Sequence, residues 1–277
     1  MWGSLPFKHY VFLLNIRPGG GGLEHMNSTL ITSGPNSMKD DRSYAGWLSL
    51  VSHEYFHAFN VKRLRPVELG PFDYENPPRT PSLWISEGLT TYYGELIVCR
   101  AGLVKPEGFL QSLSSHISQL QNSPGRLLQS LEESSLNVWT NSRSGVQTDN
   151  KATVSYYVKG PVAGFLLDAR VRRATGGAKS LDDVMRLAYR RYAGEKGFTP
   201  EQFVGVASEV AGTDQSDWYK HAIASAEELD YSEALDLFGL RFANDEEGKA
   251  SWRLEARDDA TEAQKAQLKD WLHAAAN

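Results

Sequence analysis

The chain has 277 residues, of which 41% are hydrophobic and 23% are charged, a composition typical of a soluble globular protein. Its formal net charge of −5 argues against nucleic acid or an anionic membrane as a partner. The single cysteine, Cys99, excludes an intrachain disulfide, and no apolar run is long enough to span a bilayer. The oligomeric state stays unknown at this level.

The N-terminal region predicts a small antiparallel sheet. Residues 9–16 are rich in aromatic and β-branched side chains and predict a buried strand. A signal peptide is disfavoured because the apolar stretch is short and no cleavage site follows. The compartment stays unknown, with cytoplasmic as the default and export expected if the N-terminus is incomplete. The glycines at 19–22 fit no phosphate-binding spacing and predict a turn. Residues 23–32 predict a second strand, with Glu24 at its start.

The most informative stretch is HEYFH at residues 53–57, within a helix predicted over residues 43–59. A helix places His53 and His57 one turn apart on the same face, where both imidazoles can bind one metal ion. Glu54 lies beside them, as does the general base of zinc hydrolases. The alternative is a helix that carries two histidines by chance. The residues that flank HEYFH are so apolar that the helix is expected to be buried. Without a metal ion, its buried imidazoles and carboxylate would lack partners, which argues against this alternative.

A third metal ligand is expected on the next helix, predicted over residues 83–100 after a proline-rich loop at 61–82. A catalytic zinc site has three protein ligands and keeps one position open. Glu87 is the best candidate because it stands among apolar residues in the first turn of this helix. Glu75 in the loop and Glu95 further along the helix are the other possible ligands.

The rest of the chain predicts a helical lobe, which makes the fold class α+β and mainly α. Helices are predicted over residues 106–121, about 154–174, 180–193, 200–211, 217–226 and 261–274, with a strand at 251–255. The polar segment 123–152 has few periodic apolar positions, so no element is predicted there. The active cleft is expected between the sheet and the helical lobe.

Five ordered stretches resemble the glycyl-aminopeptidase family of zinc metallopeptidases, which belongs to the thermolysin-like gluzincin clan. They are GGLEH at 21–25, HEYFHAFNVKR at 53–63, LGPFDY at 69–74, WISEGLTTYY at 84–93 and SYYVKG at 155–160. The resemblance implies a thermolysin-like catalytic domain at 1–242 with a C-terminal tail at 243–277. The N-terminal β domain and PDZ module usual in the family have no expected counterpart in this chain.

The resemblance also implies a metal site. His53, His57 and Glu87 would bind one zinc ion per chain, and Glu54 would act as general base. Thr91, one turn beyond Glu87, is a candidate partner that would orient a histidine ligand.

The substrate would be a peptide. By the same resemblance, Glu24 with Gly21 and Gly22 would bind its free α-amino group. Tyr157 would donate a hydrogen bond to the transition state, with Tyr156 as the alternative.

The expected function is therefore a zinc-dependent aminopeptidase that removes small N-terminal residues, such as Gly or Ala. A zinc endopeptidase with the same metal site and a catalytically impaired peptide-binding fragment are the alternatives. The loop at 61–82 and the segment at 123–152 are the candidates for a specificity pocket.

Overall fold

The computed structural model describes residues 2–73, 75–141, 153–244 and 250–273. Two small sheets accompany a larger set of helices, which agrees with the α+β, mainly α class. The strands are β1 (Val11–Ile16), β2 (Gly21–Glu24), β3 (Ser28–Ser33), β4 (Leu240–Asn244) and β5 (Ala250–Ala256). The helices are α1 (Asp41–Phe56), α2 (Leu89–Arg100), α3 (Pro106–Gln121), α4 (Leu131–Leu136), α5 (Val138–Asn141), α6 (Tyr156–Ala174), α7 (Leu181–Tyr192), α8 (Pro200–Ala211), α9 (Ser216–Ala222), α10 (Ser232–Phe238) and α11 (Glu262–Leu272).

The N-terminal sheet is mixed, with the strand order β1-β3-β2, so the prediction of an antiparallel sheet is wrong. The strand predicted over 23–32 is interrupted at residues 25–27, and the chain there reverses to pair β2 antiparallel to β3. Because that reversal gives β3 the direction of β1, the pair β1 and β3 is parallel. Gly21 and Gly22 belong to β2 and not to a turn.

Strand β1 is exposed, although its sequence predicts a buried strand. Its side chains Val11, Leu13, Leu14 and Ile16 are 50–52% exposed. The reason is its place at the edge of the sheet, since α1 packs mainly against β2 and β3 and contacts β1 through the Phe12–Tyr55 ring pair. Within this sheet, β3 is the strand that alternates between buried and partly exposed positions, as a half-buried strand should.

The main core lies among the helices around α2 and α6. A buried hydrogen-bond network joins four of them through the carboxylate of Asp168, which is 0% exposed. Asp168 accepts hydrogen bonds from the Tyr92 hydroxyl at 2.7 Å, the Arg172 guanidinium at 3.0 Å and the Leu181 amide at 3.0 Å. The indole of Trp271, on α11, donates to the same Tyr92 hydroxyl at 2.7 Å. The C-terminal helix is therefore part of this core.

Several predicted boundaries need correction. The segment 123–152 was predicted to have no regular element, yet α4 and α5 lie in it, and Ser130 opens α4 with a capping box. Residues 142–152 fall outside the described residues. Helix α9 ends at Ala222, four residues earlier than predicted. Helices α3 and α8 have the predicted bounds. In the described part of the chain, no helix combines the length and apolar character that a membrane crossing requires.

Candidate active site

Helix α1 brings the two histidines together. Asp40 caps it, accepting a hydrogen bond from the Ser43 amide at 2.9 Å, and the helix then runs through His53 to end beside His57. The Nε2 atoms of His53 and His57 are 3.0 Å apart, and each lies 3.3 Å from Oε2 of Glu87. The structure thus collects the three residues that the sequence proposes as metal ligands.

Glu87 lies in a π-helical turn, Trp84–Gly88, where the sequence predicts the start of an ordinary α-helix. Such turns insert an extra residue into a helix and change the direction of its side chains. The turn packs closely on α6, because a Cβ on Gly88 would lie 2.6 Å from the Cα of Gly160. Glycine at both positions allows this contact, which holds the backbone that carries Glu87.

Both histidines are oriented by their second ring nitrogen. Nδ1 of His57 lies 2.9 Å from the carbonyl oxygen of Asn60, so Nδ1 carries a proton and Nε2 is the nitrogen that faces Glu87. Nδ1 of His53 is 3.4 Å from the hydroxyl of Thr91, the partner suggested by the sequence. The Asn60 side chain, which is 0% exposed, donates to the Ile85 carbonyl at 2.7 Å and thereby ties the end of α1 to the π-turn.

The three converging atoms fit a zinc ion. Two imidazole nitrogens and a carboxylate oxygen are ligands that zinc prefers. Ligand atoms of a tetrahedral zinc site with bonds of about 2.1 Å lie roughly 3.4 Å apart, close to the 3.0–3.3 Å separations found for His53, His57 and Glu87. Three acceptor atoms at such distances repel each other unless a cation or a proton lies between them.

The charges of these groups depend on one another. Burial opposes the charge on Glu87, but His57 and His53 outweigh it and hold the pKa of that carboxyl well below its usual range. Burial lowers the pKa of His53, and the neighbouring His57 lowers it further. Burial also opposes protonation of His57, yet the Glu87 carboxylate prevails and raises its pKa to about 9. The site therefore favours one positive charge among the three groups.

Glu54 is a buried carboxylate beside this cluster, 5% exposed. Burial, together with the nearby carboxylates of Glu24 and Glu87, raises its pKa to about 7, although His57 opposes the shift. Its Oε2 atom has no hydrogen-bond partner among the described residues. A Cβ on Gly22 would lie 2.1 Å from Cδ of Glu54, so any side chain at that position would displace the carboxylate.

Glu24, at the end of β2, faces the same cluster. A carboxylate oxygen of Glu24, one of Glu54 and a ring nitrogen of His57 lie within 4.8 Å of one another. Oε1 of Glu24 forms an ion pair with the ammonium of Lys62 at 3.2 Å, and this ammonium is also 5.0 Å from the ring centroid of Phe72. Gly21 precedes Gly22 with a φ of +113°, a conformation that favours glycine.

Of the two adjacent tyrosines at the start of α6, Tyr157 is the nearer to the metal ligands. Its ring centroid is 6.3 Å from that of His53, and its hydroxyl is close enough to Glu87 for this carboxylate to raise its pKa. Burial and the Glu87 carboxylate raise the pKa of Tyr157, so it stays a donor at neutral pH. Tyr156 is a core residue, 5% exposed.

The two alternative ligands are not at the site. Glu95 forms an ion pair with His116 of α3 at 2.9 Å, and the exposed Glu75 lies in a turn where Asp73 accepts from its amide. Asn60 and Lys62 are site residues that sequence reasoning missed. Both lie in HEYFHAFNVKR, and their position just beyond the metal helix is the only signal that could have found them.

The chain is similar to known peptidases in sequence and in fold. The M61 glycyl aminopeptidase family model matches residues 46–163. The crystal structure of an aminopeptidase N family protein from Idiomarina loihiensis is similar, with a TM-score of 0.83 and 29% sequence identity. The match covers 88% of this chain and 43% of that one, so this chain spans less than half of that protein's length. No curated protein matches. The family match over residues 46–163 and the similar fold support the assignment of the chain to the M61 glycyl aminopeptidase family.

Proposed function

We propose that the chain is a zinc-dependent aminopeptidase that removes small N-terminal residues from peptides. The observation that carries this proposal is that three potential metal ligands and two further carboxylates lie close together. His53, His57 and Glu87 present three ligand atoms within 3.3 Å, and the carboxylates of Glu54 and Glu24 lie next to His57.

His53, His57 and Glu87 would hold the metal. When bound, zinc supplies a Lewis acid that polarises a carbonyl oxygen and lowers the pKa of water. Glu54 would accept a proton from the attacking water and pass it to the leaving amine. Its pKa near 7 suits both steps, because a carboxyl group with such a pKa takes up and gives back a proton readily at neutral pH.

The other groups would bind and orient the peptide. Tyr157 would donate a hydrogen bond to the oxyanion that develops on the scissile carbonyl, a contribution of about 3 kcal/mol in related systems. The carboxylate of Glu24 would pair with the α-ammonium of the substrate and so place the cut after the first residue. The Gly21 and Gly22 backbone would let the peptide approach, since neither position has a side chain.

An endopeptidase with the same metal residues is a second candidate, and one observation favours it. The carboxylate of Glu24 already has a cationic partner in Lys62, at 3.2 Å. If that ion pair persisted in the complex, Glu24 would be neutralised and a free substrate amine would not be needed.

The test compares a glycyl peptide with its N-acetylated form, using mass spectrometry to locate the cut. We expect cleavage of the acetylated peptide to be at least about a hundredfold slower, because a carboxylate built to bind an ammonium would be left unpaired. Glu24→Gln should abolish the difference. Equal cleavage of both peptides by the unaltered protein would rule out an exopeptidase and leave the endopeptidase.

A further inference from the structure

The ion pair between Lys62 and Glu24 is largely buried, and Arg63 ties together the two segments that carry it. The Lys62 side chain is 15% exposed and that of Glu24 is 21% exposed, so the pair is largely screened from water. Arg63 joins the two segments, because its guanidinium donates to the Met26 carbonyl at 2.8 Å and to the Ala58 carbonyl at 2.5 Å. The turn after α1 is thus tied to the loop that directly follows Glu24.

The backbone next to Lys62 is strained. Val61 has a φ of +108°, a strained conformation that β-branched residues rarely adopt. Hydrogen bonds on either side maintain it: the amide of Val61 donates to the Leu64 carbonyl at 2.9 Å, and that of Lys62 to the His57 carbonyl at 3.0 Å. Strain that the surroundings maintain in this way is often found at functional sites. Here it lies next to Lys62, whose ammonium is 3.2 Å from Glu24.

We propose that Lys62 is a tethered cation that occupies the amine position at Glu24 and gives it up to the α-ammonium of the substrate. The inference rests on the proposed function, in which Glu24 binds that ammonium. Lys62 and an N-terminal amine carry the same charged group, a primary ammonium, so Glu24 has a partner of the same chemistry in both states. Lys62 is then a specificity-determining residue, because a ligand without an ammonium has nothing to offer in exchange.

The displaced ammonium has a second partner at hand. It already lies 5.0 Å from the Phe72 ring centroid, within the range of a cation–π contact. Moving away from Glu24 therefore does not leave Lys62 without an interaction. The energetic consequence is a competition: every substrate amine must displace an ion pair, which lowers its apparent affinity for the site.

The experiment measures binding to the metal-free protein, so that it does not depend on hydrolysis. Glycinamide is the probe, because it carries a primary ammonium and no carboxylate, and N-acetylglycinamide is the matched ligand without the charge. Both are titrated by NMR into the unaltered protein and into the Lys62→Met, Lys62→Arg and Glu24→Gln variants. Lys220→Met, at an exposed lysine of α9, is the control for loss of a positive charge. Thermal unfolding verifies each variant, and Lys62→Gln replaces Lys62→Met if that one does not fold.

We expect Lys62→Met to bind glycinamide on the order of threefold to tenfold more tightly, the range expected for release of a partly exposed ion pair. N-acetylglycinamide binding should not change, Lys220→Met should match the unaltered protein, and Lys62→Arg should bind no more tightly than it. Unchanged or weaker glycinamide binding to Lys62→Met would overturn the inference and make Lys62 a residue that only holds Glu24 in place. If glycinamide binds equally well to Glu24→Gln, the amine site itself is wrong and the inference is overturned with it.

Discussion

The metal-ligand half of the site and its substrate-binding half rest on differently packed parts of the molecule. Helix α1 and the π-turn pack on α2 and α6, where Tyr92 and Phe165 are at most 1% exposed. Glu24, Gly21 and Gly22 lie on a three-stranded sheet whose edge strand β1 is about half exposed. The residues proposed to bind zinc thus pack on the helical core, whereas Glu24, Gly21 and Gly22, proposed to bind the substrate amine, lie on a single small sheet.

Because of this difference, we expect substitutions in the two halves to change different properties of the protein. Substitutions in the helical core should act mainly on the free energy of unfolding, because they break buried contacts. Substitutions in the edge strands β1 and β2 should act on the placement of Glu24 and Glu54 with little loss of stability, whereas the buried face of β3 should behave like the core. Four variants test this division, from the largest expected effect to the smallest.

Asp168→Ala should have the largest effect. It removes the acceptor of Tyr92, Arg172 and the Leu181 amide, and leaves the largely buried Arg172 with only the exposed Asp270 as a partner. Breaking a buried pair in this way costs about 3–5 kcal/mol. Urea unfolding measures the loss, and Asp217→Ala, at an exposed ion pair, should change stability little. Similar stability of the two variants would show that the network does not support the core.

Gly22→Ala should reduce peptidase activity by about two orders of magnitude or more, because misplacing a catalytic group by an ångström has effects of that size. Its new Cβ would overlap the Glu54 carboxylate, whereas a Cβ on Gly20 would meet nothing within 4 Å. Hydrolysis of a glycyl substrate by Gly22→Ala, with Gly20→Ala as control, measures this. The account is contradicted if both variants keep full activity.

Asn60→Ala should weaken zinc binding about tenfold, the lower end of the range for residues that orient metal ligands. The Asn60 amide donates to the Ile85 carbonyl and to the Thr90 hydroxyl, at 2.7 and 2.9 Å, and so fixes the turn that carries Glu87. Competition with a zinc chelator measures the affinity. Asn122→Ala, at the exposed end of α3, should leave it unchanged. Equal zinc affinity of both variants would mean that Glu87 is held by other contacts.

Leu13→Ser should have the smallest effect, within about 0.5 kcal/mol, because the side chain is 52% exposed on β1. Ile31→Ala, on the neighbouring strand β3, should cost about 2–5 kcal/mol, since Ile31 is 0% exposed. Thermal unfolding of the two variants compares the exposed and the buried strand directly. A large loss from Leu13→Ser would show that β1 is packed in solution.

The sequence predicts best what depends on local rules. The spacing of His53 and His57 places both on one face of α1, and the capping boxes at Thr199 and Thr261 mark the starts of α8 and α11. Glu87 could be selected as the partner of the two histidines because a catalytic zinc site needs a third protein ligand, which limited the choice to a few nearby glutamates. Whether these residues act as proposed stays a prediction.

What the sequence does not predict depends on contacts between distant segments. Strand β1 has the composition of a buried strand, and only its place at the sheet edge explains its exposure. The π-turn arises where Gly88 meets Gly160, residues 72 positions apart in the chain. The pairing of Lys62 with Glu24 likewise joins segments that no periodicity connects.

The most direct test of the central claim measures zinc content and hydrolysis together for the unaltered protein and for Glu54→Gln. We predict one zinc per chain in both, because His53, His57 and Glu87 remain, and a loss of turnover of about 10²–10⁴-fold in the variant, the usual effect of removing a general base. A Glu54→Gln variant that binds zinc and retains full turnover of a glycyl peptide would contradict the account.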